Sequence, residues 1–170
     1  VNLSPVQFNK GNLVATVKAA LDASGLRSDR LELEITESIL LQNTATTLTA
    51  LHQLHAMGIA VTMDDFGTGY SSLSYLRSFP FDKIKIDQSF VRDIVEDQQS
   101  MSIIRAVIAL ARSLHIRTTA EGVETIEQLD MLREEGCTEV QGYIFSRPKP
   151  ASELPLLIDS LSAGKLLSNQ

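Results

Sequence analysis

The chain has 170 residues, of which 44% are hydrophobic and 21% charged, with a net charge of −6. That is enough for one domain with a sizeable core, and the balance is that of a globular protein. The acidic sign argues against a general binder of DNA, RNA or anionic membrane, yet it leaves room for a small anionic ligand held through metal ions. One cysteine, Cys137, rules out an intramolecular disulfide and reads as a buried thiol in a reducing compartment. No signal peptide is visible and no apolar run approaches the length of a membrane span. The segment is therefore expected in the cytoplasm without membrane contact of its own, although a parent protein could be anchored further upstream.

Val1 to Leu3 reads as a strand cut short at its start. Leu13, Val14, Val17, Ala20 and Leu21 recur at helical spacing, and Gly25 can end that helix. From Leu31 to Ser38 the residues alternate, with Leu31, Leu33 and Ile35 on one face of a strand and Glu32 and Glu34 on the other. Asn43 or Thr44 can cap a helix carrying Leu48, Leu51 and Leu54, which Gly58 ends. Ile59 to Met63 is a short apolar run that predicts a buried strand, and Asp64 and Asp65 stand where it ends. A loop with two glycines and a short helix near Leu73 to Arg77 follow. Phe81 to Asp87 alternates again, Ile84 and Ile86 opposite Lys83, Lys85 and Asp87.

A long helix then carries Ile103, Ile104, Val107, Ile108, Ala111 and Leu114. Arg117 to Ala120 is a short strand leading into Glu121 and Glu124. Thr125 and Gln128 have the spacing of a capping box for a helix with Ile126, Leu129 and Leu132, which Gly136 ends. Another strand starts at Val140, and a last helix runs from Ser152 to about Leu161. Strand and helix alternate as in βαβ units, which means a parallel sheet covered by helices. An open doubly wound sheet and a closed barrel both fit. The barrel is favoured because acids and amides recur at strand ends, the usual active-site face of that fold.

Those polar groups are Asn2, Glu34, Glu37, Asp64, Asp65, Lys85, Asp87, Glu121, Glu124 and Gln141. Converging carboxylates repel unless cations lie among them. Oxygen ligands without Cys or His select Mg²⁺, Mn²⁺ or Ca²⁺ over zinc. The histidines, His52, His55 and His115, fall on helices or helix ends and read as flank residues. Two metals sharing a carboxylate suit phosphodiester hydrolysis, with Lys85 placed to orient the nucleophilic water. Proton abstraction beside a metal-held enolate and a Schiff-base aldolase through Lys85 remain open on spacing alone.

Asp64-Asp-Phe-Gly-Thr-Gly-Tyr-Ser-Ser72, with Glu34-Ile-Thr-Glu37, Lys85-Ile-Asp87, Glu121-Gly-Val-Glu124 and Gln141-Gly-Tyr143, resembles the EAL domain family. These are bacterial phosphodiesterases that convert cyclic di-GMP to linear pGpG. The resemblance implies a TIM-like (β/α) barrel, two Mg²⁺ or Mn²⁺ ions, cyclic di-GMP as ligand and a homodimer. It also assigns roles. Asn2 and Glu34 match ligands of the first metal, Asp64 the bridging carboxylate, and Asp65 and Glu121 ligands of the second. Lys85 matches the lysine that contacts the nucleophilic water, and Glu37 the residue that shapes the Asp64–Ser72 loop. Asp87, Glu124 and Gln141 match further substrate-binding or supporting positions. The Glu-Ala-Leu motif and the arginine after it are absent. Residues 1–170 are therefore expected to be one truncated barrel domain of about six strands, two short of the usual eight. The fragment itself is expected to be impaired and to self-associate. The alternative is a non-catalytic cyclic di-GMP receptor or assembly module of the same fold.

Overall fold

The computed structural model describes residues 1–10, 12–42, 44–67, 76, 79 and 81–162. Alternating apolar and charged residues set its first strand, β1 (Glu32–Thr36), in which Leu33 and Ile35 are buried. β2 (Ala60–Phe66) pairs with β1 in parallel, with Glu34 opposite Thr62 and Thr36 opposite Asp64. β3 (Lys83–Ile86), β4 (Arg117–Glu121) and β5 (Glu139–Gln141) complete a five-stranded sheet in the order β1-β2-β3-β4-β5. Asn2 adds an isolated parallel bridge to Glu34, where the expected first strand stands. The Leu3 amide donates to the Glu34 carbonyl, and the Glu34 amide to that of Val1. Residues 1–3 thus pair with β1 over too short a length to count as a strand.

The described helices are α1 (Pro5–Lys10), α2 (Leu13–Ser24), α3 (Glu37–Gln42), α4 (Thr44–Ala56), α5 (Gln88–Arg92), α6 (Gln98–Ser113), α7 (Ile126–Glu134) and α8 (Leu154–Ser162). None is long and apolar enough to cross a membrane. By contact the chain divides into two units. One is Val1–Lys85 with Leu114–Arg117, the other Ile86–Ser113 with Thr118–Gln170.

In the first unit α4 packs on β2 and on α2. Leu51 and Leu54 of α4 are fully buried, as are Val61 and Met63 of β2, so the helical and strand stripes supply one core. α4 ends where Gly58 takes a φ of 83°, a value that favours glycine. β2 extends further than its apolar run suggests. Pairing with β1 continues to Asp64, so both aspartates lie inside the strand rather than beyond it. Every residue of β3 is buried, including Lys83 and Lys85 on the face opposite Ile84 and Ile86. The helix expected near Leu73 to Arg77 lies outside the described residues except for Leu76.

In the second unit α6 buries Met101, Ile104, Val107, Ile108 and Ala111. Ile103, expected on that stripe, is exposed, and so is Leu114 just past the helix end. The capping box at α7 is present, with the Thr125 hydroxyl accepting from the Gln128 amide. Gln128 also turns its side-chain amide to the Val91 and Arg92 carbonyls, at 3.2 and 3.3 Å, tying α7 to α5. β5 stops at Gln141, earlier than expected. A Cβ at Gly142 would lie 2.0 Å from the Val123 carbonyl oxygen, so only glycine lets these two backbones meet. The short helices α1, α3 and α5 have no clear sequence signal, because five or six residues are too few to show a helical period.

Asp97 caps α6, accepting from the Gln99 and Ser100 amides and from the Ser100 hydroxyl. The Ser100 hydroxyl first, then those amides, hold its carboxyl below the usual aspartate range. A depressed pKa means the contribution is complete above the unfolded-state value and is lost as pH falls through the folded one. Asp97→Ala should therefore lower the urea midpoint at neutral pH, with the gap closing on acidification below the ordinary carboxylate range. Asp97→Asn, which can still cap, should show a smaller and flatter gap.

Candidate active site

Three adjacent strands carry the centre of the site. Glu34 lies on β1, Asp64 on β2 and Lys85 on β3. The Lys85 ammonium stands 3.0 Å from Glu34 Oε2 and 3.1 Å from Asp64 Oδ1. All three side chains are largely covered, at 8% exposure for Lys85, 22% for Glu34 and 13% for Asp64. The parallel register explains the arrangement. Asp64 sits one pleat beyond the residue opposite Glu34, and the side-chain period of two puts Lys83 and Lys85 on one face of β3. Asn2 reaches the same place through its backbone bridge to Glu34.

Asp65 follows with a φ of 54°, in the left-handed region. Aspartate tolerates that conformation better than most residues, at a cost on the order of 1 kcal/mol. Regular strand geometry would send adjacent side chains to opposite faces, and the left-handed residue breaks that alternation. The Asp65 amide donates to Asp64 Oδ1 at 3.1 Å, which orients the neighbouring carboxylate. Glu37, only 7% exposed, is the first residue of α3, directly after β1. The rest of the loop that Glu37 was expected to shape, from Thr68 to Ser72, lies outside the described residues.

In the second unit Glu121 ends β4 and is paired in register with Gln141, which ends β5. Gly122, with a φ of 71°, turns the chain immediately after Glu121. The Val123 amide then donates to the Gln141 carbonyl at 3.1 Å. Glu124 is exposed, and its amide donates to Gln128 Oε1 at 2.8 Å, so the α7 cap fixes its backbone. Asp87 caps α5, accepting from the Ser89 amide at 2.9 Å.

A second polar layer lies one step further back along β1, β2 and β3. The Lys83 ammonium is 3.0 Å from Glu32 Oε2, and the Thr62 hydroxyl donates to Glu32 Oε1 at 2.6 Å. Burial pushes the Glu32 carboxyl up, but the Thr62 and Lys83 hydrogen bonds and the charges of Lys83 and Arg117 outweigh it, leaving the group below the usual range. Sequence reading placed Glu32 with Glu34 and Lys83 with Lys85 but gave the first of each pair no role. The available signal was the i, i+2 repeat of acid on one strand and lysine on another. The histidines belong elsewhere. His52 and His55 flank Phe79, at 5.1 and 5.9 Å between ring centroids, and His55 approaches Asp82 at 3.6 Å. Burial raises the pKa of Cys137, which accords with an inert thiol.

The EAL domain model matches residues 1–148, and the chain belongs to that family. It is 47% identical over 154 residues to the cyclic di-GMP phosphodiesterase NbdA of Pseudomonas aeruginosa, covering 91% of this chain and 20% of NbdA. The chain thus spans about a fifth of the length of the curated relatives it matches. Among solved structures, the PaMucR phosphodiesterase in complex with c-di-GMP superposes with a TM-score of 0.86 at 43% identity, over 91% of this chain and 62% of that one. Klebsiella pneumoniae BlrP1, solved with manganese and c-di-GMP, gives 0.81 at 37% identity, over 87% of this chain and 38% of that one.

Breaking a largely buried ion pair by removing one partner leaves the other charge uncompensated. Lys85→Met should lower the unfolding free energy of the metal-free chain by about 3 kcal/mol in urea titrations. A divalent cation should recover part of that loss, because it would restore positive charge beside Glu34 and Asp64.

Proposed function

We propose that this chain forms a large part of a metal-dependent phosphodiesterase domain that hydrolyses cyclic di-GMP to linear pGpG. The observation that carries the reading is Lys85, held in a covered site between two carboxylates that share its face of the sheet. Relatives and solved neighbours of the same family are named for cyclic di-GMP hydrolysis or were solved with the dinucleotide. The donor set fits hard divalent cations, since it offers carboxylate and amide oxygens without Cys or His. In this reading Asn2, Glu34 and Asp64 hold one Mg²⁺ or Mn²⁺ ion. By the family resemblance, Asp64, Asp65 and Glu121 would provide the carboxylate donors for a second. Such ions supply Lewis acidity to a phosphodiester and its attacking water.

The protein's own groups do the rest. The Lys85 ammonium donates to the attacking water and offsets charge that builds on the phosphoryl oxygens. The Asp65 amide fixes Asp64, and Glu37 shapes the loop from Asp64 to Ser72. Asp87, Glu124 and Gln141 support the substrate side. The fold completes as a TIM-like barrel, with two further strands supplied upstream of Val1. The 62% share of the PaMucR chain supports that reading. On its own the 170-residue chain should then pair through its open sheet edges. Sedimentation should show dimers or larger species, and a stable monomer that turns over cyclic di-GMP like the full-length protein would overturn the truncated-barrel reading.

Asp64→Asn in the full-length protein should abolish Mg²⁺- or Mn²⁺-dependent hydrolysis, because one carboxylate serves both ions. Lys85→Ala should lower kcat by about 100-fold or more while changing cyclic di-GMP affinity little, as expected of a group that acts on the transition state. Undiminished hydrolysis in Asp64→Asn overturns the assignment. Binding of cyclic di-GMP without hydrolysis by the wild-type protein, with either cation present, would make it a receptor.

A further inference from the structure

We propose that Gln128 is a positioning residue that sets Glu124 by clamping the backbone after β4 to the end of α5. Its consequence in turnover rests on the phosphodiesterase reading, in which Glu124 and Asp87 support the substrate side; the clamp itself does not. Gln128 is only 6% exposed. Its Oε1 accepts from the Glu124 and Thr125 amides at 2.8 and 3.1 Å. Its Nε2 donates to the Val91 and Arg92 carbonyls at 3.2 and 3.3 Å. A side-chain amide has two acceptor sites and two donor hydrogens, so both halves are filled. A flipped amide would set donor against donor and acceptor against acceptor, so the partners fix its orientation.

A capping box asks for less than this. It needs a side-chain acceptor for the N-cap amide, here that of Thr125, and glutamate serves there as well as glutamine. The bonds to Glu124 and to the two carbonyls lie outside the box. Those carbonyls belong to the last two residues of α5, where a helix leaves carbonyls for outside donors. Asp87 caps the other end of the same helix. Gly122 packs at that end, since a Cβ there would lie 2.7 Å from the Cβ of Gln88. The backbone after β4 thus meets α5 at both ends, by close approach at Gly122 and through Gln128 beyond it. Val123 is held separately by the chain around β5. Its amide donates to the Gln141 carbonyl, and its carbonyl accepts from the Ile144 amide. Loss of the clamp therefore frees Glu124 and Thr125 from α5 and leaves Glu121 to Val123 in place.

The test uses the full-length protein as wild type, Gln128→Met, Gln128→Glu, Glu124→Ala and the double variant Gln128→Met with Glu124→Ala. Methionine keeps the bulk of the side chain and removes all of its hydrogen bonds. Glutamate keeps the acceptor but offers no donor when ionised and one when protonated, so it preserves the capping box and weakens the tie to α5. In the metal-free protein, Gln128→Met should speed hydrogen exchange at the Glu124 and Thr125 amides about tenfold and leave the Val123 amide as in wild type. With cyclic di-GMP and saturating Mg²⁺, Gln128→Met should raise KM about tenfold with kcat within about twofold, and Gln128→Glu should raise KM about threefold. The Mg²⁺ concentration giving half the maximal rate should stay within about twofold of wild type, because Glu121 keeps its place. Glu124→Ala should raise KM, and the double variant should be no worse than Glu124→Ala alone, because Gln128 acts through Glu124. Wild-type KM in either Gln128 variant, with only Tm lowered, would overturn the proposal by leaving Gln128 a helix cap. So would KM effects that multiply in the double variant, or a Glu124→Ala variant with wild-type KM. A wild-type protein that binds cyclic di-GMP without hydrolysing it would overturn the phosphodiesterase reading, and the same comparisons made on Kd would still decide the clamp.

Discussion

The first unit depends on how positive charge is placed beside covered carboxylates. Glu34 and Asp64 are drawn into the sheet by strand pairing, and covering a carboxylate is costly unless a positive charge or hydrogen bonds answer it. Lys85 meets both at hydrogen-bonding distance. That contact requires β1, β2 and β3 to be in one register, because a slip of one residue would turn each side chain to the other face. The apolar residues enforce the register. Leu33, Ile35, Val61, Met63, Ile84 and Ile86 alternate with the polar ones and are all buried.

Backbone conformation does the finer placing. Asp65 adopts a left-handed φ inside β2 and hydrogen-bonds the neighbouring carboxylate. Gly122 turns the chain directly after Glu121, and Gly142 allows β5 to end against the Val123 backbone. The two glycines carry no reactive group, and Asp65 acts here through its backbone. They decide where the reactive ones stand, which is why glycines and a strained aspartate sit among acids at strand ends.

The layered pairing of Glu32 with Lys83 and of Glu34 with Lys85 shows how a parallel sheet can hold several charges on one face. Each glutamate of β1 is answered by a lysine of β3 reaching across β2, and the side-chain period of two separates the levels. Thr62 and Asp64 make the levels chemically different while keeping their geometry the same. The front layer is rich in anionic oxygen and suits divalent cations. In the rear layer Glu32 meets the Lys83 ammonium and the Thr62 hydroxyl.

Much was determined by the sequence alone. The alternation from Leu31 and from Phe81, the apolar stripe of α6, the capping box of α7 and the Asp64-Asp65 motif each specify an element or a family from neighbouring residues, because period and capping are local physics. Tertiary structure decided what depends on residues distant in the chain. It put Lys85, about twenty residues past Asp64 and fifty past Glu34, between the two. It extended β2 through both aspartates to Phe66, with pairing to β1 carrying the strand past its apolar run as far as Asp64. It buried Lys83 and Lys85, whose shared face alternation gives but whose burial it cannot. It gave Glu32 a partner fifty-one residues away, a relation no local period can express.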